Sequence, residues 1–321
     1  FKGWLEQRPE IWRRYLDQLD GLRTSSHLDG PLGAQVERAT AGRTGIDCFD
    51  FWAQELVATG YLHNHARMWF ASIWIYTLGL PWQLGADFFM RYLLDGDAAS
   101  NTLSWRWVCG LHTVGKTYLA RHDNIVRYTQ GRFNPGAKLS AHAPAMRAES
   151  LPPPAGLRAL RPIPASGSLM VLLSEEDLAP ETLTIPVGRV ASVIAIDTTD
   201  AYPGMSQLVR QFKRTALRDA LGRAREHFGV AGGFDDLVPP GELPAILADA
   251  GAAATVISEM PTGPARSQIL DALVAYGSEL APLVEVRRAW DAAFWPHATG
   301  DFHKLEARIP VILRALSLAS M

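Results

Sequence analysis

One arginine, two carboxylates two residues apart and two asparagine amides fall among aromatic side chains in a short part of this sequence. The stretch opens with Tyr61-Leu62-His63-Asn64-His65-Ala66-Arg67-Met68. It continues through Asp95-Gly96-Asp97-Ala98-Ala99-Ser100-Asn101 to Trp105-Arg106-Trp107. A guanidinium among apolar neighbours is costly unless paired, and Asp95 or Asp97 is the obvious partner for Arg67. Such a set is either an ion pair that staples two helices or part of a functional site. Two metal readings fail on spacing. His63 and His65 point to different sides of a helix, so a shared ion is not expected. Asp95-Gly96-Asp97 lacks the spaced oxygens and bidentate Glu of a calcium loop.

Helices must position these residues. Asp50 to Tyr61 carries Phe51, Trp52, Leu56 and Val57 at helical spacing, with Gly60 as a stop. Leu62 to Leu78 is apolar on most sides and reads as a buried helix. Pro81 opens a third, through Phe88, Phe89, Tyr92 and Leu93. Beyond residue 166 the pattern changes. Leu169 to Leu173, Val190 to Ile196 and Ala254 to Ile257 are short apolar runs, the mark of buried strands. Helical patterns lie between and after them: Ser206 to Phe228, with Leu208, Phe212, Leu217 and Leu221 on one face, then Leu243 to Ala250 and Arg266 to Tyr276. Strand and helix in alternation predict a parallel sheet flanked by helices. Between the two regions, Pro152-Pro153-Pro154, Pro162 and Pro164 predict an extended segment. The expected organisation is therefore an all-α domain over 1–136, a Pro/Ala-rich linker over 137–166 and a small α/β domain over 167–321.

The 321 residues are 48% apolar and 20% charged, enough to bury a proper core and too apolar for disorder. No apolar run reaches the roughly 18 residues of a membrane span, and two cysteines cannot build a disulfide framework. A cytoplasmic protein is expected. The near-neutral total of 31 basic and 33 acidic residues hides a polarity: residues 1–165 hold 18 and 14, the remainder 13 and 19. The acidic second half argues against DNA contact of its own. Thr262-Gly263-Pro264-Ala265-Arg266-Ser267 reads as a plain strand-to-helix turn rather than an anion site.

The motifs of the first half resemble the FAD-binding half of the cryptochrome/photolyase family. The matching pieces are the Tyr61 to Met68 helix, Trp82 with Gly85, Phe89 and Met90, the Asp95 to Asn101 loop, Trp105-x-Trp107 and the upstream Gly42-Arg43-Thr44-Gly45. The resemblance implies FAD as cofactor. It implies that Asn64 lines the flavin cavity near the damaged bases. Arg67 lies over the isoalloxazine ring, held by Asp95, with Asp97 near the polar edge. Asn101 faces flavin N5, where plant cryptochromes carry Asp. Met68 and Trp107 pack against a pyrimidine dimer in UV-damaged DNA. Trp105 and Trp82 begin a tryptophan electron-transfer chain whose usual third member is missing, leaving Tyr61 or Tyr76 as outer donor. His65 stands where many repair enzymes have an arginine. After Trp107 the sequence departs from the common family pattern.

The resemblance implies light-driven repair of cyclobutane pyrimidine dimers by electron transfer from reduced FAD. The alternative is a cryptochrome-like blue-light photoreceptor or regulatory flavoprotein without repair. The phosphate-side segments of the family's flavin site are not found, and the chain starts at Phe1, so a fragment is expected. With it go weak FAD binding by these 321 residues and an exposed apolar face at Phe1 and Trp4. The second half resembles a displaced, degenerate antenna domain, including Val190 to Asp197 and Asp291 to Pro310.

Overall fold

A computed structural model describes residues 1–24, 26–147, 150–231, 236–276, 281–300 and 302–319. Two compact units divide the chain: Phe1 with Arg8–Pro153, and Lys2–Gln7 with Pro154–Met321. The division falls within the proline-rich segment. Helix α1 (Lys2–Glu6) belongs to the second unit.

The first unit is helical, with α2 (Glu10–Thr24), α3 (Pro31–Thr40), α4 (Asp47–Thr59), α5 (Asn64–Ser72), α6 (Trp82–Tyr92), α7 (Ala98–Val108) and α8 (His122–Tyr128). No strand lies between residues 50 and 107. The helices that carry the motifs have local reasons to start or stop. Asp50 in the first turn of α4 accepts the N–H groups of Thr44 and Gly45, both at 2.8 Å, which pins the turn before the helix. Gly60 ends α4 in the left-handed region at φ 72° and gives its N–H to Leu56 O. The helix expected over 62–78 is α5 followed by a π-turn at Ile73–Thr77. Its core is aromatic: Phe49 stacks on Phe70 at 4.2 Å, and Trp74 is fully buried.

The second unit is a four-stranded parallel sheet in the order β2-β1-β3-β4, built from β1 (Leu169–Leu173), β2 (Val190–Ala195), β3 (Ala254–Ser258) and β4 (Leu283–Val286). Its helices are α9 (Gln207–Phe228), α10 (Leu243–Asp249), α11 (Pro264–Tyr276), α12 (Ala289–Phe294), α13 (Phe302–Glu306) and α14 (Ile309–Ala319). Successive residues of β1 face opposite sides. Leu169, Val171 and Leu173 pack with Leu217, Leu221 and Phe228 of α9. Met170 and Leu172 pack with Leu243, Leu247 and Ile269 of α10 and α11. The fold is thus an all-α unit followed by a small α/β unit.

Three expectations need correction. Leu208 and Phe212 do not belong to the buried face of α9; they are 41% and 47% exposed. The helix buries Val209, Leu217, Ala220, Leu221, Ala224 and Phe228 instead, because small alanines let it approach the sheet closely. Trp4 is buried, whereas Phe1 is exposed, so the apolar face expected at both exists only at Phe1. Strand β4 was not anticipated. Within the stretch Asp291 to Pro310, Asp301 lies outside the described residues, as do Ala148 and Glu149 of the proline-rich segment.

Candidate functional site

The site is assembled from the start of α5, the turn after α6 and the inner face of α7. His63 caps α5 by accepting the His65 N–H at 3.2 Å, which sets Asn64 in the first turn. Arg67 then lies one turn along. Its Nε donates to Leu62 O at 2.8 Å and its Nη2 stands 3.0 Å from the Asp95 carboxylate. The guanidinium also lies 5.8 Å from the Tyr61 ring. Asp95 has 62% of its side chain exposed and Arg67 25%, so this pair sits at a rim rather than in the core. The sequence left Asp95 and Asp97 open as partners. Asp97 instead caps α7, accepting the Ser100 N–H at 2.7 Å.

Backbone pairing holds the two sides together. Leu94 N donates to Gly60 O at 2.9 Å, joining the end of α4 to the turn carrying Asp95. A Cβ on Gly60 would come within 2.6 Å of Leu94 Cγ. On α7, Asn101 is buried and donates Nδ2–H to Ala86 O at 2.8 Å. Trp105 meets Phe89 edge-to-face at 5.1 Å and Trp74 at 6.3 Å. Trp107 stacks on Tyr118 at 5.5 Å and 29°.

These side chains surround a cavity of about 390 Å³, within the range of small-molecule sites. Asn64, Arg67, Met68, Asp95, Asp97, Asn101, Trp105 and Trp107 all line it. Sequence reasoning missed Phe89, Ser100 and Ser104, although the two serines follow Asp97 at helical spacing. Trp82 is not brought to this cavity. It is buried, stacks on Tyr15 at 5.6 Å, and has the Arg106 guanidinium 6.0 Å from its ring. Trp105 instead turns its ring to Trp74 and Phe89. Of the suggested outer donors, Tyr61 is exposed at the Arg67 rim. Tyr76 donates its hydroxyl to Val108 O, and burial with the nearby Cys109 pushes its pKa up to about 12.

Residues 1–139 match the family described as the FAD binding domain of DNA photolyase. The deoxyribodipyrimidine photo-lyase of Streptomyces griseus is 34% identical over 134 residues, which are 38% of this chain and 28% of that protein. A Thermus thermophilus protein of the same name is 46% identical over 86 residues, 27% of this chain and 20% of its own length. Cryptochrome DASH, chloroplastic/mitochondrial, from Oryza sativa subsp. japonica is 33% identical over 112 residues, 32% and 19% of the two chains. Residues 1–139 are thus similar to the cryptochrome/photolyase family. The matched stretches span 19% to 28% of these relatives. No solved structure matches the chain.

FAD is the cofactor that a photolyase-type domain indicates, and the donor set of the cavity fits its ring system. Phe89, Trp105 and Trp107 give its lining aromatic surface, and Asn64, Arg67, Asp95, Asp97 and Asn101 give it polar groups. A planar heterocycle needs that division, apolar against its faces and hydrogen bonding along its edge. Among the described residues no group of three or more His, Cys, Asp or Glu is arranged for a metal ion. No helix among them is long and apolar enough to cross a membrane.

Proposed function

We propose that the protein is a light-dependent flavoprotein of the photolyase type that repairs cyclobutane pyrimidine dimers in UV-damaged DNA. The observation that carries this reading is the convergence of eight side chains from α5, the turn after α6 and α7 on one cavity. When bound, reduced FAD supplies one electron under light to the dimer and takes it back after the ring splits. Arg67, held by Asp95, would supply positive charge to a bound flavin ring system, and Asp97 would accept hydrogen bonds from it. Asn101, with Nδ2 committed to Ala86 O, keeps its side-chain carbonyl as an acceptor for a flavin N–H. Asn64, Met68 and Trp107 form the lesion side, Trp107 as a stacking surface for a flipped base. Trp105 and Trp82 are the family positions for electron transfer.

A second reading, a blue-light photoreceptor or regulatory flavoprotein without repair, draws on His65. Its ring packs against Trp69 at 5.6 Å and Tyr128 at 5.3 Å, and an imidazole there lacks the fork of donors that an arginine offers DNA phosphate. The deciding experiment is illumination of a dimer-containing oligonucleotide with chemically reduced protein. Light-dependent restoration of the bases supports repair; flavin photochemistry without restoration selects the photoreceptor.

A further inference from the structure

Three tryptophans begin candidate electron routes, and of these Trp105 and Trp107 line the cavity while Trp82 does not. Trp105 lines the cavity, but its ring contacts are Trp74 and Phe89. Trp74 in turn meets Phe49 and Phe70, all fully buried. Phenylalanine is far harder to oxidise than indole or phenol, so that route stops in the core. Trp82 leads through Tyr15 to Trp12, both buried. Among the described residues Trp82 has no ring contact with a cavity-lining tryptophan, and the Arg106 guanidinium lies 6.0 Å from its ring.

The third route is continuous. Trp107 lines the cavity and stacks on Tyr118. Burial raises the pKa of the Tyr118 phenol, and the Trp69 side chain within hydrogen-bonding reach of it opposes that rise. Trp69 has a fixed N–H acceptor in Asn124 Oδ1 at 3.0 Å and stacks on Trp52 at 5.5 Å and 24°. His65 bridges Trp69 to Tyr128, and Tyr128 is 54% exposed. This end opens into a groove of about 540 Å³ lined by Trp52, His65, Trp69 and Tyr128. The Arg127 guanidinium 5.4 Å from the Tyr128 ring faces water, where its field is screened.

We propose that Trp107, Tyr118, Trp69 and Tyr128 form the relay through which a flavin in the cavity is reduced from solvent. The proposal rests on the flavin reading above. Trp107 gives one electron to the light-excited, oxidised flavin. Each ring then takes one electron from its neighbour further out, with Tyr118 and His65 as the contacts that couple Trp107 to Trp69 and Trp69 to Tyr128. Tyr128 loses the last electron together with its hydroxyl proton, which passes to His65 or water. A thiol in solution returns one electron and one proton to Tyr128, and the thiyl radicals pair as disulfide. The missing third family tryptophan is then not needed.

The test uses the purified protein, with its flavin content read from absorbance before illumination. Blue light with a soluble thiol follows, recording loss of oxidised-flavin absorbance and the radical signal by electron paramagnetic resonance. Trp69→Phe should slow photoreduction at least tenfold. Tyr128→Phe, an exposed and near-isosteric change, should remove a tyrosyl signal while leaving flavin content and melting temperature unaltered. Trp74→Phe should stay within twofold of the parent. Photoreduction that survives Trp69→Phe and Tyr128→Phe, or collapses in Trp82→Phe alone, overturns the relay while leaving the flavin reading intact. A preparation that takes up no flavin even with FAD added in large excess overturns both.

Discussion

Asn101 gives its amide N–H to the backbone carbonyl of Ala86 at 2.8 Å, tying α7 to α6 behind the cavity. An aspartate at that place sets a buried carboxylate against a carbonyl oxygen. Asn101→Asp should therefore destabilise the helical unit by about 1–3 kcal/mol at pH 8. Protonation restores a donor, so the folded-state pKa of the new acid is raised. Stability returns as the pH falls through that raised value. The difference in melting temperature from the parent should shrink between pH 8 and pH 5; a constant difference would mean that the carboxylate is not held against the carbonyl.

Arg67 and Asp95 form an exposed pair, and exposed pairs contribute only about 0–1 kcal/mol. Arg67→Ala and Asp95→Ala should lower the melting temperature by no more than about 4 °C. On the proposed function, both should nevertheless release flavin. Flavin-to-protein absorbance and a thermal melt on the same sample separate the two effects.

Gly85 sits where a Cβ would fall 2.3 Å from Trp105 Cη2 and 3.0 Å from Trp74 Cε2. Helix propensity alone gains about 1 kcal/mol for Gly85→Ala. Displacing rigid indole atoms in a packed core costs about 1–3 kcal/mol, so a net loss is expected. The displaced Trp105 should also change its fluorescence, since its ring is the one a Gly85 side chain would push. A variant more stable than the parent would show that the core has room after all.

In the α/β unit, Asp177 is held by Arg288, with Nε at 2.8 Å, and by the Ser258 hydroxyl at 2.6 Å. Burial pushes the Asp177 pKa up, but these bonds outweigh it and the net direction is down. Its contribution is therefore complete above the ordinary carboxylate value of about 3.9 and fades as pH falls below it. Glu285 and Asp291 act oppositely: burial raises both, so their protonation on acidification favours the fold. Asp177→Asn should cost stability at pH 7 and narrow its gap to the parent toward pH 3. Urea midpoints across that range give the comparison.

The cavity residues were legible through their resemblance to a family motif, and they lie together on α5, the turn after α6 and α7. Ring partnership was not readable: the sequence puts Trp82 and Trp105 on neighbouring helices but does not show that Trp82 turns to Tyr15. The same limit applies to α9. Counting large apolar residues selected Leu208 and Phe212, while the sheet accepts the face with Ala220 and Ala224. Strand β4 escaped because Glu285 interrupts its apolar run. That carboxylate meets Arg158 at 3.0 Å, a partner more than a hundred residues away in sequence.

The Leu94–Gly60 backbone bond has a kinetic consequence. It closes a loop containing α5 and α6, and its formation must overcome the entropy of bringing distant segments together. A local opening there would separate the polar rim while the Phe49–Phe70 stack stayed intact. Exchange of the Leu94 amide with heavy water should thus follow the opening of the cavity mouth, and exceed that of the aromatic core.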